Sequence, residues 1–578
     1  MIREKMGKIR NSFTVEFVSD IDLIRVDGVC ISVSETDREG VARIGGAGGF
    51  WGDRPLAAVE MLRTTEMDYL TMDYLAELTM SILAKQRSRD PEAGWATDLS
   101  DWLSEDGMGL LHAKGVKLVT NAGGANPRAC AAAVLDLAHD EGWHECKVAI
   151  VEGDDMLGRL DEFLQQGETL HHLESGESIS HVRDDITAVN AYLGAGAAAR
   201  GLARGADIVI CGRIADASLI VACMLHSAGW AQRAEELDLP LHSPIETWAP
   251  DDVENPLDVV AGWTLAGHLI ECGAQVTGGN SSDWASIEDL VDVGYPVAES
   301  HIDGSCVITK PEGSGGRVDR RVVVEQLLYE IGDPARYLTP DCVLDITAVT
   351  LADAGENRVL VQGARGSARP SRLKVSAAHR DGWFATANLL VPGPDAAARA
   401  EVADRTLRQR LARSGCDGLR IETEAFGSGV TLPPGMPHAD FDPPELLVRW
   451  AAMSAERSEV VSFSREIAPL VLTGPAGISG YGARPKPREQ FRFWPTLIDR
   501  GLVEGNIRLE LLEWEQSSDP EAPLAPLASL RLRVGQRKAR LEADIRGRLE
   551  HVVETVPEGR IRHRVASSML DQFGKEDD

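Results

Sequence analysis

The chain is predicted to be an α/β protein, with a mostly parallel layered sheet and glycine-rich strand-to-helix loops, followed by a smaller α+β domain. Three observations predict this. Four short apolar runs each end in a polar, glycine-bearing loop that leads onward, within residues 41–55, 116–127, 147–155 and 207–216. From 41 to about 230, strand and helix patterns alternate, as parallel βα layers require. After about 335, runs of strands stand apart from the helices, which is the α+β texture. The expected division is an N-terminal extension (1–40), the α/β domain (41–335), the α+β domain (336–500) and a C-terminal extension (501–578). A length of 578 residues accommodates it.

In chain order, 13–17 and 22–33 read as strands. An apolar run from Val41 feeds Gly45, Gly46, Gly48, Gly49 and Gly52, and Asp53-Arg54-Pro55 opens a helix over 56–63. Proline suits a first helical position because its missing N–H would be unbonded there. Residues 75–87 and 101–113 add helices with no glycine-loop strand between them. A strand over 116–120 leads through Asn121, Gly123 and Gly124 to a helix over 128–139, with Asn126 as N-cap and Pro127 first. A strand over 147–151 ends in Glu152-Gly153-Asp154-Asp155. An alanine-rich helix is expected over 189–204, then a strand over 207–211, Gly212-Arg213-Ile214-Ala215-Asp216 and a helix over 217–226. A helix over 256–273 stops at glycine, and Gly278-Gly279-Asn280 turns the chain. A strand over 305–309 runs into Lys310, and a helix covers 322–331. Strands follow over 343–351, 358–363, 373–377 and 384–391, a helix over 396–414, strands over 419–423 and 446–453, and a helix over 456–470. A second glycine-rich loop covers 473–482, and a strand covers 507–514 before a Pro/Ala linker and a charged helical tail.

Hydrophobic residues make up 43% of the chain, enough for a large core, and the net charge is −31. Such a balance argues against a nucleic-acid surface, which wants clustered Lys and Arg. Nine scattered cysteines with no C-x-x-C read as reduced thiols of a cytoplasmic protein. The first ten residues lack the apolar core of a signal peptide. The most apolar window, 206–225, carries Arg213 and Asp216, so no membrane span is expected. A homo-oligomer is the base-rate expectation.

In an open parallel sheet the loops after the strands collect at one edge, where ligands bind. That edge is the expected site. The first loop does not fit the dinucleotide pattern G-x-G-x-x-G: counted from Gly46 and Gly48, the third position is Trp51. No phosphate-loop Gly-Lys-Ser/Thr is present either. The glycines serve either tight turns or the close approach of a ligand. Arg54 beside Asp53, and Arg213 one turn from Asp216, could clamp a carboxylate or phosphate, or form structural ion pairs. Asp154 and Asp155 could share a proton, hold a metal ion, or shape a turn. His268 and Glu271, three apart on a helix, share a face and could form an acid/base pair. Lone ligands on one helix make an incomplete metal site, and no metal residues are assigned.

At these residues the chain resembles the acyclic terpene utilisation (AtuA) family. The resemblance rests on 44–55 (IGGAGGFWGDRP), 119–127 (VTNAGGANP), 190–195 (NAYLGA), 212–219 (GRIADASL), 266–279 (AGHLIECGAQVTGG), 307–311 (VITKP) and 476–481 (AGISGY). It covers about 42 to 485. The chain departs at Ala47, Trp51 and Ala217, and no ferredoxin-like module is seen at the C-terminus. The resemblance implies a role near the breakdown of branched, terpene-derived acids as CoA thioesters in bacterial cytosol. The expected function is thus a hydratase or lyase acting next to the carbonyl of a branched acyl-CoA or related carboxylic acid. His268, Glu271 and Asp216 are the candidate catalytic residues. The ligand is expected at Gly45, Gly46, Gly48, Gly49, Asp53, Arg54, Asn121, Gly123, Gly124, Asn126, Asp154, Arg213, Gly278, Gly279 and Lys310. No cofactor is identified beyond a CoA moiety carried by the substrate. The alternatives are a non-catalytic binding or assembly subunit and a metal-dependent enzyme.

Overall fold

The computed structural model describes residues 23–26, 29–32, 40–433 and 443–514. The strand expected over 13–17 and the linker and helical tail after 514 lie outside the described residues. Among the described residues, ten strands form the main sheet, in the order Thr350–Asp353, Val359–Gln362, Cys306–Thr309, Val297–His301, Val41–Gly46, Tyr69–Met72, Lys117–Thr120, Ile208–Cys211, Lys147–Glu152 and Arg508–Glu513. The five from Val41–Gly46 to Lys147–Glu152 are parallel. Four antiparallel strands extend one flank and Arg508–Glu513 the other. The expected parallel layering therefore holds for the centre, and the whole sheet is mixed. Short links such as 302–305 can only turn the chain back antiparallel, since a parallel return needs a crossover.

The central strands are apolar on both faces because helices cover both. Leu118, Ile208 and Ile210 pack with the helices Ala57–Thr64 and Pro127–Asp140. Val119, Val209 and Cys211 pack with Gly196–Ala203, Ser218–Ser227 and Pro256–Ile270 on the other face. The alternation is the two-residue period of a strand.

A second sheet has the order Arg420–Phe426, Glu445–Ser454, Arg372–Pro392 and Arg488–Asp499, with Ile186–Ala191 also paired to Arg372–Pro392. The helices Ala396–Arg413 and Arg457–Ile467 cover one of its faces. The strands expected over 373–377 and 384–391 are one 21-residue strand, continuous through a register shift between Arg380 and Trp383. The segments Thr350–Asp353, Val359–Gln362 and Arg508–Glu513 all enter the main sheet, so that sheet recruits chain from both sides of the second one.

Other elements differ from expectation: the strand expected over 343–351 is two, Val343–Asp345 and Thr350–Asp353, in different sheets, and Val297–His301 is an unforeseen strand of the main sheet. The helix expected over 189–204 is the strand Ile186–Ala191 followed by the helix Gly196–Ala203, because sheet pairing with Arg372–Pro392 overrides the local helical preference of its alanines. The helix expected over 101–113 breaks into Asp98–Trp102 and Met108–Lys114 around Asp106, whose φ is +117°. Tyr69–Met72, unforeseen, is a central parallel strand. Among the described residues, no helix is long and apolar enough to cross a membrane.

Candidate functional site

The carboxyl ends of the parallel strands open on a cavity of about 970 Å³, closed on its far side by Arg372, Lys374 and Leu497 of the second sheet. Much of its polar wall is built from residues just after strands. Asp73 follows Tyr69–Met72 and is buried. Its Oδ1 accepts the Asn121 Nδ2–H at 2.7 Å and the Leu75 backbone N–H at 2.8 Å. Asn121 itself follows Lys117–Thr120 and accepts the Tyr74 backbone N–H. Burial, aided by the charge of Asp216, pushes the Asp73 carboxyl well up against the pull of Arg213 and these donors.

Arg213 follows Ile208–Cys211 and is 2% exposed. Its Nη1 donates to the Leu75 carbonyl at 2.6 Å and its Nη2 to Asp216 Oδ1 at 2.7 Å. The guanidinium lies 4.0 Å over the Tyr192 ring. Burial disfavours its charge, but Asp216, Tyr192 and Asp73 outweigh burial and keep it protonated. Its Nε is buried without a partner. Lys374 reaches the same ring from the second sheet, with Nζ 4.5 Å from the centroid and 3.1 Å from Glu77 Oε1. The Tyr192 hydroxyl donates to that same Glu77 oxygen.

Opposite stands the end of the Pro256–Ile270 helix. Glu271 lines the cavity and His268 stands fully buried behind it, with His268 Nδ1 3.2 Å from Glu271 Oε1. Burial raises the Glu271 carboxyl, and the hydrogen bond to His268 only partly opposes it. Burial alone would lower His268, yet Glu271 holds it above its ordinary value. Both groups thus hold protons more tightly than usual, and they titrate as a pair.

Asp154, after Lys147–Glu152, lies beneath this wall. Its Oδ2 accepts the Arg213 backbone N–H at 2.9 Å and the Asn190 Nδ2–H at 2.8 Å. Burial pushes its carboxyl up to about 7. A carboxyl raised in the folded state favours folding below its ordinary value near pH 4, and that advantage is lost as pH rises through about 7. Asp154→Asn keeps an oxygen for both donors and removes the titration. In urea unfolding, the fall in stability from pH 5 to 8 is expected to be shallower in this variant. An unchanged slope would contradict a neutral Asp154 in the fold.

Of the residues expected at the site, the cavity wall brings together Gly49, Asp53, Arg213, Asp216, Glu271 and Gly279, with His268, Asn121 and Asp154 directly behind. The other glycines have packing roles. Gly45 and Gly46 belong to the Val41–Gly46 strand, and a Cβ on Gly46 would meet the Ile270 carbonyl at 2.7 Å. Gly48 lies by Met72, Gly124 by Leu83 and Gly278 by Ile287, while Gly123 packs on the Cys211 carbonyl. The Gly49 N–H is taken by Asp53, whose other oxygen accepts from the Arg54 N–H and Tyr295 hydroxyl. The Arg54 side chain pairs with Glu60, Asn126 caps Pro127–Asp140, and Lys310 bonds Ser314. The Asp155 side chain holds the Leu157 N–H and sits by Arg87. Among the described residues, no group of three or more His, Cys, Asp or Glu is placed to hold a metal.

Sequence reasoning missed Asp73, Glu77, Tyr192, Tyr337, Arg372 and Lys374, all of which line the cavity. The one local signal was Asp73 after the β-prone run Tyr69-Leu70-Thr71-Met72.

No curated protein matches the chain. The sequence model of the acyclic terpene utilisation family protein AtuA matches residues 42–238 and 247–509, spanning both sheets and every residue of the cavity wall. With most of its length matched, the chain belongs to the AtuA family, a membership that suggests a role in acyclic terpene catabolism.

Proposed function

We propose that the cavity is the active site of a hydratase or lyase acting next to the carbonyl of a branched acyl-CoA or related carboxylic acid. The observation that carries this reading is Glu271. It is a buried carboxylate on the cavity wall, with His268 at 3.2 Å to take or return its proton. In the elimination direction, Glu271 takes the proton from the carbon next to the carbonyl, the β-hydroxyl leaves, and a proton delivered to that oxygen makes water. Asp73, whose carboxyl burial pushes up, supplies that second proton, and hydration is the reverse. Asp216 raises the basicity of Glu271 by its charge and anchors Arg213. Arg213 and Lys374 give the cavity cations for an enolate-like oxygen or a carboxylate. Phe50, Leu173 and Leu338, exposed at its rim, offer apolar surface to a branched chain.

The test is proton exchange. The full chain is incubated in D₂O with branched acyl-CoAs and the matching free acids, and ¹H NMR follows the protons next to the carbonyl. Exchange is expected with at least one thioester or acid. Binding seen by native mass spectrometry with no exchange or turnover of any bound compound would overturn the enzymatic reading in favour of a binding subunit.

A further inference from the structure

The groove that carries this inference lies outside the main cavity. It encloses about 510 Å³ between the Glu77–Arg89 helix, the middle of the Arg372–Pro392 strand and the start of Arg488–Asp499, and is lined by Lys85, Arg89, Trp383, Phe384, Arg488 and Phe491 among others. Its charge runs against that of the chain. In a chain of net charge −31, the lining has three cations against one carboxylate, Glu489, which pairs with Lys85. Lys85 Nζ also sits 5.0 Å from the Phe491 centroid, and the Arg457 guanidinium 5.4 Å from that of Trp383. Arg89 and Arg488 are exposed at the rim.

The backbone presents this platform by a specific device. The register between Arg372–Pro392 and Arg488–Asp499 shifts between Arg380 and Trp383. Gly382 has φ +80° within that shift, and a Cβ there would meet the Ser454 carbonyl at 2.4 Å. A bulge of this kind re-aims the side chains that follow it, and Trp383 and Phe384 follow directly.

We infer that this groove binds a nucleoside phosphate, the base stacking on Trp383 and Phe491 and the phosphates meeting Arg89 and Arg488. Aromatic faces take a flat base whatever its hydrogen-bonding edge, and guanidinium groups match phosphate oxygens in pairs. A lone groove of this size has room for a mononucleotide and not for a nucleic-acid strand. The nucleotide has two sources, a free one or the nucleotide end of a CoA thioester. The second source rests on the function proposed above. It is geometrically open because Glu77 lines the main cavity and Lys85 lies eight residues along the same helix, about 12 Å away.

Calorimetry on the full chain, with adenosine diphosphate and with coenzyme A, tests this. Adenosine diphosphate is expected to bind once per chain and quench tryptophan fluorescence. The Arg89→Glu, Arg488→Glu double variant, at exposed positions, and Trp383→Leu are each expected to weaken it about tenfold or more. Coenzyme A binding more tightly than adenosine diphosphate, and failing in the same variants, identifies the thioester end. Equal affinities identify a free nucleotide. Absence of binding by either compound, or affinity unchanged in the double variant, overturns the assignment. Glu271→Gln is expected to leave nucleotide binding intact, so loss of proton exchange with retained nucleotide binding refutes the proposed reaction alone.

Discussion

Glu271→Gln is expected to lower turnover, and solvent exchange of the proton next to the carbonyl, by about 10²- to 10⁴-fold, the usual loss when a positioned acid/base is removed. The amide keeps an oxygen for His268 and the volume of the side chain, so packing at the end of Pro256–Ile270 is preserved. What it cannot do is take a proton. Binding of the substrate should therefore change much less than the rate. The informative companion is His268→Asn, which leaves Glu271 on the cavity wall and removes the group that shares its proton. That variant should retain more activity than Glu271→Gln and show a shifted pH–rate profile. Full turnover in Glu271→Gln, with the variant folded, would remove this residue from the chemistry.

Arg213→Met is expected to cost about 2–4 kcal/mol of unfolding free energy, measured in urea at pH 7, because it strands the half-buried Asp216 carboxylate and the buried Leu75 carbonyl that the guanidinium now satisfies. Asp216 loses its ion pair, and the buried Leu75 carbonyl loses its donor. The methionine also gives up the stacking on Tyr192. Adding Asp216→Asn to this variant should recover part of the loss, since a neutral amide no longer needs a cation. A single variant as stable as the parent would show that the buried ion pair adds little to the fold.

What was legible in the sequence was local. Val41–Gly46, Lys117–Thr120, Lys147–Glu152 and Ile208–Cys211 each combine an apolar run with a glycine-bearing loop, so strand and edge could be read together. His268 and Glu271 meet because they are three residues apart on a helix, a relation the sequence carries directly. Asp73 escapes a sequence reading because no glycine follows Tyr69–Met72 to mark the end of a strand. Tyr192 and Lys374 meet over one another only through the pairing of Ile186–Ala191 with Arg372–Pro392, about 185 residues apart in sequence. The glycines of the first loops misled for a physical reason. Close packing of a helix on a strand and close approach of a ligand both need a missing Cβ, and at Gly46 and Gly123 the neighbour is the protein itself.

Lys147–Glu152 has Ile208–Cys211 on one side and Arg508–Glu513 on the other. During synthesis its second partner emerges from the ribosome about 360 residues later, roughly 20 to 70 s at ordinary elongation rates. Through that interval the parallel half of the sheet presents Lys147-Val148-Ala149-Ile150-Val151-Glu152 as an open, apolar edge. The nascent chain should therefore depend on holding chaperones late in translation. A chain ending before Arg508 would keep that edge open permanently and accumulate as aggregate even with every residue of the cavity wall present.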